Sequence, residues 1–429
     1  VAVACAAAMI ASMTSGLTVF AEETADFSGE ELSILVSAGW MDNRYDATIE
    51  RFEDTYGVTV DLQTIPADQY SDLLQSKLAT DSCADIFWIQ SNPFAIESTI
   101  VDPEKYCIDF TGASWEDLMP EARKTSCVYN DKLYGLQIWH NSPEYVMVYN
   151  KTLFEENGWE IPSTYAELKD LCAKIAEQGI TPWFMPGADG WQHQLAFFQI
   201  GGVYAGAEEG LYDKLNNNEA TFAGNETFTL ILNQIMDMIN SGYWGENYMS
   251  NEYTDAAKNI ASGEYAMTIA NQGFGAEVNA VDANFPVDQI GYFVAPLADN
   301  QTLNMNPSGP ARFIYSGSSN IDAAKKYLAY MATDESLTYL TENVAKFNKL
   351  PFSNAPTTYS DTIQEFYDSY PTSSTVYQTA VKYVNPQWTE IGNNMSAMFL
   401  GEMTPEEVLE DLDKNRAEQA KAASDEAWN

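Results

Sequence analysis

After residue 30 the chain alternates short apolar runs with amphipathic ones, and that alternation leaves few folds open. Leu32-Ser33-Ile34-Leu35-Val36 has the length and apolarity of a buried strand. The segment behind it puts Tyr45, Ile49, Phe52 and Tyr56 on one helical face and stops at Gly57. Val58-Thr59-Val60-Asp61-Leu62 reads as the next strand, and Tyr70, Leu73, Leu74 and Leu78 as the next helix face. Asp85-Ile86-Phe87-Trp88-Ile89 is a third strand. Strands separated by single helices pair in parallel, with helices covering both faces of the sheet. The expected fold class is α/β.

The pattern resumes further on. Thr164 and Glu167 form a capping box for a helix through Ile175, residues 180–184 read as a strand, and Asn225 precedes a long apolar helix over 228–239. Residues 265–270 and 290–295 read as strands, and Asn320 caps the helix bearing Ile321, Ala324, Tyr327, Leu328 and Met331. Thr404-Pro405-Glu406-Glu407 opens a terminal helix with cap, N1 proline and capping-box glutamate together. A chain of 429 residues that is 45% hydrophobic fills two lobes of about 150–200 residues each. No repeat, low-complexity tract or Pro/Ser tether separates them, so strands are expected to cross between the lobes.

Residues 1–21 carry no charge. An apolar, Ala-rich run gives way to Val19-Phe20-Ala21 and then Glu22-Glu23, the pattern of a secretory signal peptide cleaved after Ala21. The run is too short for a membrane span, and Cys5 precedes it, the wrong order for a lipid anchor. The expected location is secreted or cell-surface associated, periplasmic where the source has an outer membrane. Acidic residues number 62 against 21 basic, a net charge of −41. That balance excludes nucleic acid and anionic membrane as partners and predicts a soluble monomer.

Catalytic signatures are missing from the sequence. It contains no G-x-G-x-x-G, G-x-x-x-x-G-K-[ST], H-E-x-x-H or G-x-S-x-G run, and no cofactor is expected. The only histidines, His140 and His193, read as polar loop residues. Without a C-x-x-C pair no zinc constellation forms. Cys172 lies on the apolar face of a helix, whereas Cys107 and Cys127 are the two that an oxidising compartment could join.

The tryptophans carry the functional signal. Trp40 follows the first strand, Trp88 ends the third, and Trp139, Trp191 and Trp388 all lie among Asn, Gln, Asp, Ser or His rather than aliphatics. In open α/β sheets ligands sit at the carboxyl ends of strands. An indole offers a flat apolar face while nearby amides and carboxylates fix hydroxyls, a combination that suits a sugar ring. Trp115, Trp159 and Trp244 read as lobe packing and Trp428 as a loose terminal residue.

Five segments, in order, resemble the extracellular solute-binding proteins of carbohydrate ABC importers, the family 1 group that includes maltose-binding protein. They are Phe52-Glu53-Asp54-Thr55-Tyr56-Gly57-Val58-Thr59-Val60, Ala84-Asp85-Ile86-Phe87-Trp88, Tyr149-Asn150-Lys151-Thr152-Leu153-Phe154, Gly263-Glu264-Tyr265-Ala266-Met267-Thr268-Ile269 and Thr404-Pro405-Glu406-Glu407-Val408-Leu409. The resemblance implies a two-lobed periplasmic-binding-protein fold with discontinuous lobes. Residues 22–143 and 296–348 would form the first lobe, and 144–295 and 349–429 the second. It implies an oligosaccharide site with Trp40, Asp42, Trp88, Gln90, Ser91 and Asn92 on the first wall and Asp189, Trp191, Asn271, Gln272, Phe274 and Trp388 on the second. Trp139, Asn141 and Glu144 would lie near the first crossover. The closed, loaded form would deliver its sugar to ABC permease subunits. A secreted carbohydrate-active enzyme and a binder of a non-sugar solute such as a polyamine are the competing readings.

Overall fold

The computed structural model describes residues 27–428 apart from 39, 42, 92–93, 140–145, 189, 306–308, 345–346, 371–372, 376–379 and 385–387. β1 (Glu31–Ser37), β2 (Thr59–Ile65) and β3 (Ile86–Ser91) pair in parallel with β1 in the middle. Helices Asn43–Tyr56 and Ala67–Ala79 make the two crossovers. A hairpin of β4 (Val128–Tyr129) and β5 (Lys132–Leu133) leads into β6 (Gly135–Gln137). The chain then enters a second sheet of β7 (Val146–Asn150), β8 (Thr181–Phe184), β9 (Tyr265–Ala270) and β10 (Ile290–Phe293), in the order β10-β7-β9-β8. β11 (Leu303–Met305) follows. β12 (Gly309–Ile314) then returns to the first sheet and lies antiparallel between β3 and β6, while β13 (Ser373–Thr375) pairs with β11.

Each sheet has its own core. The first gathers Leu32, Ile34, Phe52, Phe87, Trp88 and Phe313 with residues of 323–352. In the second, side chains alternate across the sheet. Met147, Trp183 and Met267 face one cluster, whereas Val146, Val148 and Phe184 face another. Leu297 and Leu303 pack in the second lobe, and Leu350 and Phe352 in the first. Both chain crossings therefore fall later than positions 296 and 349.

Local chemistry explains most helix starts. Thr164 and Thr404 each make a complete capping box, and Asn225 accepts from Thr227 and Phe228 amides. Asn320 differs. It stands before helix Ile321–Met331, yet its amide makes no cap bond and donates instead to Glu31 O and to Asp85. Trp428 is no loose end either, since its ring packs edge-on to Tyr383 and beneath the fully buried Arg416. All four cysteines among the described residues are free thiols, so Cys107 and Cys127 are unpaired here.

Candidate functional site

The chain passes from β6 to β7 and returns from β10 to β12, so these strand ends mark the side of each lobe on which the chain crosses to the other. In the first lobe they are the carboxyl ends of β1, β3 and β6 and the start of β12, where Gly309 pairs with Ser91. In the second lobe they are the start of β7, where Val146 pairs with Ala270, and the carboxyl ends of β8, β9 and β10. Contacts cross between the lobes at Gln272, whose Nε2 donates to Asn348 Oδ1 at 3.3 Å.

Trp40 sits where the sequence places it, in the turn after β1, and its ring is half-buried. It stands edge-on to Tyr70, with centroids 5.2 Å apart. Tyr70 is fixed in turn. Its hydroxyl donates toward Leu35 O at 3.1 Å and Trp88 O at 2.5 Å, and accepts from Trp88 N at 3.2 Å, bracing β1 against β3 beneath Trp40. Burial pushes the Tyr70 phenol far above its ordinary value, so it stays neutral. Gln90 is half-buried on β3.

Trp88 overturns its expected role. The ring is 0% exposed, and the Arg312 guanidinium lies 4.1 Å from its centroid. Three residues before the end of β3, it is deep in the ladder and serves packing and a cation–π contact rather than a sugar face. Burial brings Arg312 down to about 10, which leaves it charged at neutral pH.

Ser91 is likewise committed inside the lobe. It donates to Gly309 O and accepts from Gln137 Nε2 at 2.8 Å, while Gln137 Oε1 accepts from buried Arg123 at 2.7 Å. Trp139 is 9% exposed. It packs edge-on to Phe347 and so close over Gly309 that a Cβ there would meet its Cγ at 2.5 Å. Both residues are corrected from ligand contact to structural support.

On the second wall Asn271 is half-buried and its Oδ1 accepts from Gly273 N at 2.7 Å, shaping the turn after β9. Gln272 is buried, with Oε1 accepting from the Tyr367 hydroxyl at 3.0 Å and Nε2 bound to Asn348. Its amide joins the lobes and is spent on the protein. Phe274 is 0% exposed in the second lobe's core. These two also leave the ligand-contact set.

The backbone brings Trp191 and Trp388 together, although their side chains lie outside the described part. Trp191 sits in the turn Gly190–Gln192, and Trp388 opens helix Trp388–Phe399. The two elements touch so closely that a Cβ on Gly392 would collide with Gly190 O. Asp42, Asn92, Asn141, Glu144 and Asp189 lie outside the described residues, as does His140.

His193 lies in the turn between Gly190–Gln192 and helix Leu195–Phe198, as expected of a polar loop residue, but it is buried. It is 2% exposed, with Nδ1 2.9 Å from Gly392 O and 2.7 Å from Ser396 Oγ, and Nε2 2.8 Å from Gly187 O. It ties helix Trp388–Phe399 to the loop after β8. Sequence reading missed it and its neighbours Gln192, Gln194 and Gln199, all buried. The available signal was polar residues embedded in the apolar run Leu195-Ala196-Phe197-Phe198.

Among the described residues no group of three or more His, Cys, Asp or Glu side chains could hold a metal ion. No helix there is long and apolar enough to cross a membrane.

Known proteins share this fold. The bacterial extracellular solute-binding protein family matches residues 38–337. A multiple sugar-binding protein of Streptococcus mutans is 24% identical over 237 residues, which are 53% of this chain and 54% of that protein. The chain thus spans about half the length of that curated relative. The GacH receptor of Streptomyces glaucescens, solved unliganded and with acarbose, gives a TM-score of 0.71 at 20% identity, covering 93% of this chain and 100% of its own. A sugar transporter of Bacillus licheniformis in complex with stachyose gives 0.71 at 15% identity, covering 90% and 99%. The fold is the two-lobed α/β fold of these structures. Since the match at 38–337 takes in well over half of the 429 residues, the chain belongs to the bacterial extracellular solute-binding protein family.

Proposed function

We propose that this chain captures a neutral oligosaccharide between its lobes and delivers it, as a monomer, to the permease subunits of an ABC importer. The observation that carries the reading is the placement of Trp40 and of the Trp191 and Trp388 segments. Trp40 follows β1, Trp191 lies in the turn after β8 and Trp388 opens a helix that touches that turn, positions that support a site between the lobes. Family membership and the sugar ligands of the structural relatives support the same reading.

Trp40 on its Tyr70 brace offers the first stacking face, with Gln90 beside it. Asn271 and the Trp191 and Trp388 segments offer the second wall, and Asp42, Asn92, Asn141, Glu144 and Asp189 supply hydroxyl contacts. Stacked rings and paired hydroxyls account for micromolar binding, about −8 kcal/mol. Closure follows because a sugar touching both walls binds the closed form more tightly. His193, held between backbone carbonyls and Ser396, has no place in a hydrolytic reading.

Calorimetry with a panel of neutral oligosaccharides tests the proposal. Micromolar binding, with the sugar recovered unchanged by chromatography, supports it. Failure of every neutral sugar beside binding of spermidine would replace it with the polyamine reading, and appearance of shortened products would replace it with an enzyme.

A further inference from the structure

Two small cavities adjoin at the end of the second sheet that faces the first lobe. One, of about 20 Å³, lies among the strand-end residues Val146, Ile269 and Val294 and is lined by Gln199. The other, of about 10 Å³, lies beyond Phe184 at the end of β8 and is lined by Gln192. Ile269 borders both.

The glutamines there are buried and idle. Gln199 is 6% exposed, Gln192 3% and Gln194 0%. Neither amide atom of Gln199 or Gln194, nor Nε2 of Gln192, has a hydrogen-bond partner among the described residues. An unmatched buried amide costs about 1–3 kcal/mol, so a lobe shaped by stability alone would carry leucine or methionine here. An amide offers two donors and an acceptor in one plane, the complement of a hydroxyl that both accepts and donates.

Size decides what can enter. A water-sized group needs roughly 10–15 Å³, so these cavities admit one or two heavy atoms and no pyranose ring. A substituent fits where the ring cannot. Trp191 directly precedes Gln192 in the turn Gly190–Gln192, so the segment proposed to stack a ring adjoins a residue that lines the second cavity.

We propose that Gln199 and Gln192 are specificity-determining residues, each amide, in its own cavity, placed to receive an exocyclic hydroxymethyl group of a hexose unit. The inference rests on the sugar-binding reading above and adds a preference for hexose over pentose units. A pentopyranose has no such group and leaves both amides unpaired, the situation that produces strong discrimination.

The test is calorimetry on the full chain with gluco-, galacto-, manno- and xylo-oligosaccharides of equal length, comparing wild type with Gln199→Leu and Gln192→Leu. Gln199→Met is the second variant should a leucine form fail to fold. The expected result is a wild-type preference for a hexose series of tenfold or more. The variants should lose tenfold or more for that series, shift less than twofold for the xylo series, and keep or raise the melting temperature of the unliganded protein. Unchanged affinity, or an equal loss in both series with a lowered melting temperature, would assign the amides to packing or internal water and overturn the inference. A wild type that prefers the xylo series would overturn it while leaving the sugar-binding reading intact. A wild type that binds no sugar of any kind would overturn that reading first.

Discussion

Replacing Trp88 with alanine removes an indole enclosed on all sides and sandwiched with the Arg312 guanidinium. The expected cost is about 3–5 kcal/mol of stability from the cavity, with Arg312 left without its ring. Replacing Trp40, half-buried at the mouth, should instead lower sugar affinity about tenfold with little change in unfolding. Urea unfolding and calorimetry on the two variants should therefore give opposite patterns. The polar run Gln90-Ser91-Asn92 made Trp88 look like a surface residue. What buries it arrives from Arg312, far along the chain on a strand the sequence hides, so burial depth was not legible there. Asp85, next to it in the same motif, has a structural task. It accepts from Ser33 N at 2.8 Å, Ser33 Oγ at 2.7 Å and Ser318 Oγ at 2.5 Å, tying β1 to the segment after β12. Burial works to raise this carboxyl, but hydrogen bonds from Ser318, Ser33 and Asn320 outweigh it and leave it below its ordinary value. A depressed carboxyl contributes stability that is fully present above about pH 4 and is lost as pH falls through that range toward the folded-state value. Asp85→Asn should cost about 1–3 kcal/mol at pH 7, and the gap to wild type should narrow as unfolding is measured at progressively lower pH below 4.

Helix Trp388–Phe399 depends on one glycine. Gly392 passes so near Gly190 O that any side chain must push the helix away, and the Gly392 carbonyl is also a partner of His193 Nδ1. Gly392→Ala should therefore separate the segments that carry Trp191 and Trp388. The expected outcome is a sugar affinity weakened on the order of tenfold, about 1.4 kcal/mol, together with a lower melting temperature. Calorimetry and thermal unfolding on the one variant read both effects. Elements of this kind differ in how openly the sequence declares them. The helices after Thr164, Asn225 and Thr404 were legible because cap, first turn and apolar stripe agree within a few residues. β12 was not, because Gly309, Pro310 and Arg312 all argue against an inner strand. Pro310 is tolerated just before the ladder with β6 begins at Ala311, and Arg312 is held by Trp88. β6 and β7 were missed for the simpler reason that each is short and directly abuts a crossover.

At the scale of the whole molecule, the proposed function makes closure about the crossovers the event that would turn binding into a signal. Among the described residues the lobes touch where Gln272 meets Asn348 and where Lys349 stands 5.4 Å from the Tyr359 ring and 5.7 Å from that of Tyr367. Saturating sugar should reduce the radius of gyration in small-angle scattering. At a ligand concentration one hundred times Kd it should add about 2.7 kcal/mol, roughly 5–10 °C in melting temperature for lobes of this size. An unchanged radius with the same stabilisation would mean that the sugar sits on one lobe only.

Net charge separates the neutral from the cationic ligand. With −41 charges the surface attracts any polyamine through a field that salt screens over about 10 Å at 0.1 M. A neutral sugar held by rings and amides feels none of that field. Raising sodium chloride from 20 to 500 mM should change its affinity less than twofold, whereas spermidine binding would weaken by an order of magnitude or more. A steep salt dependence for whichever ligand binds best would mean that the acidic residues, rather than the indoles and amides, make the site.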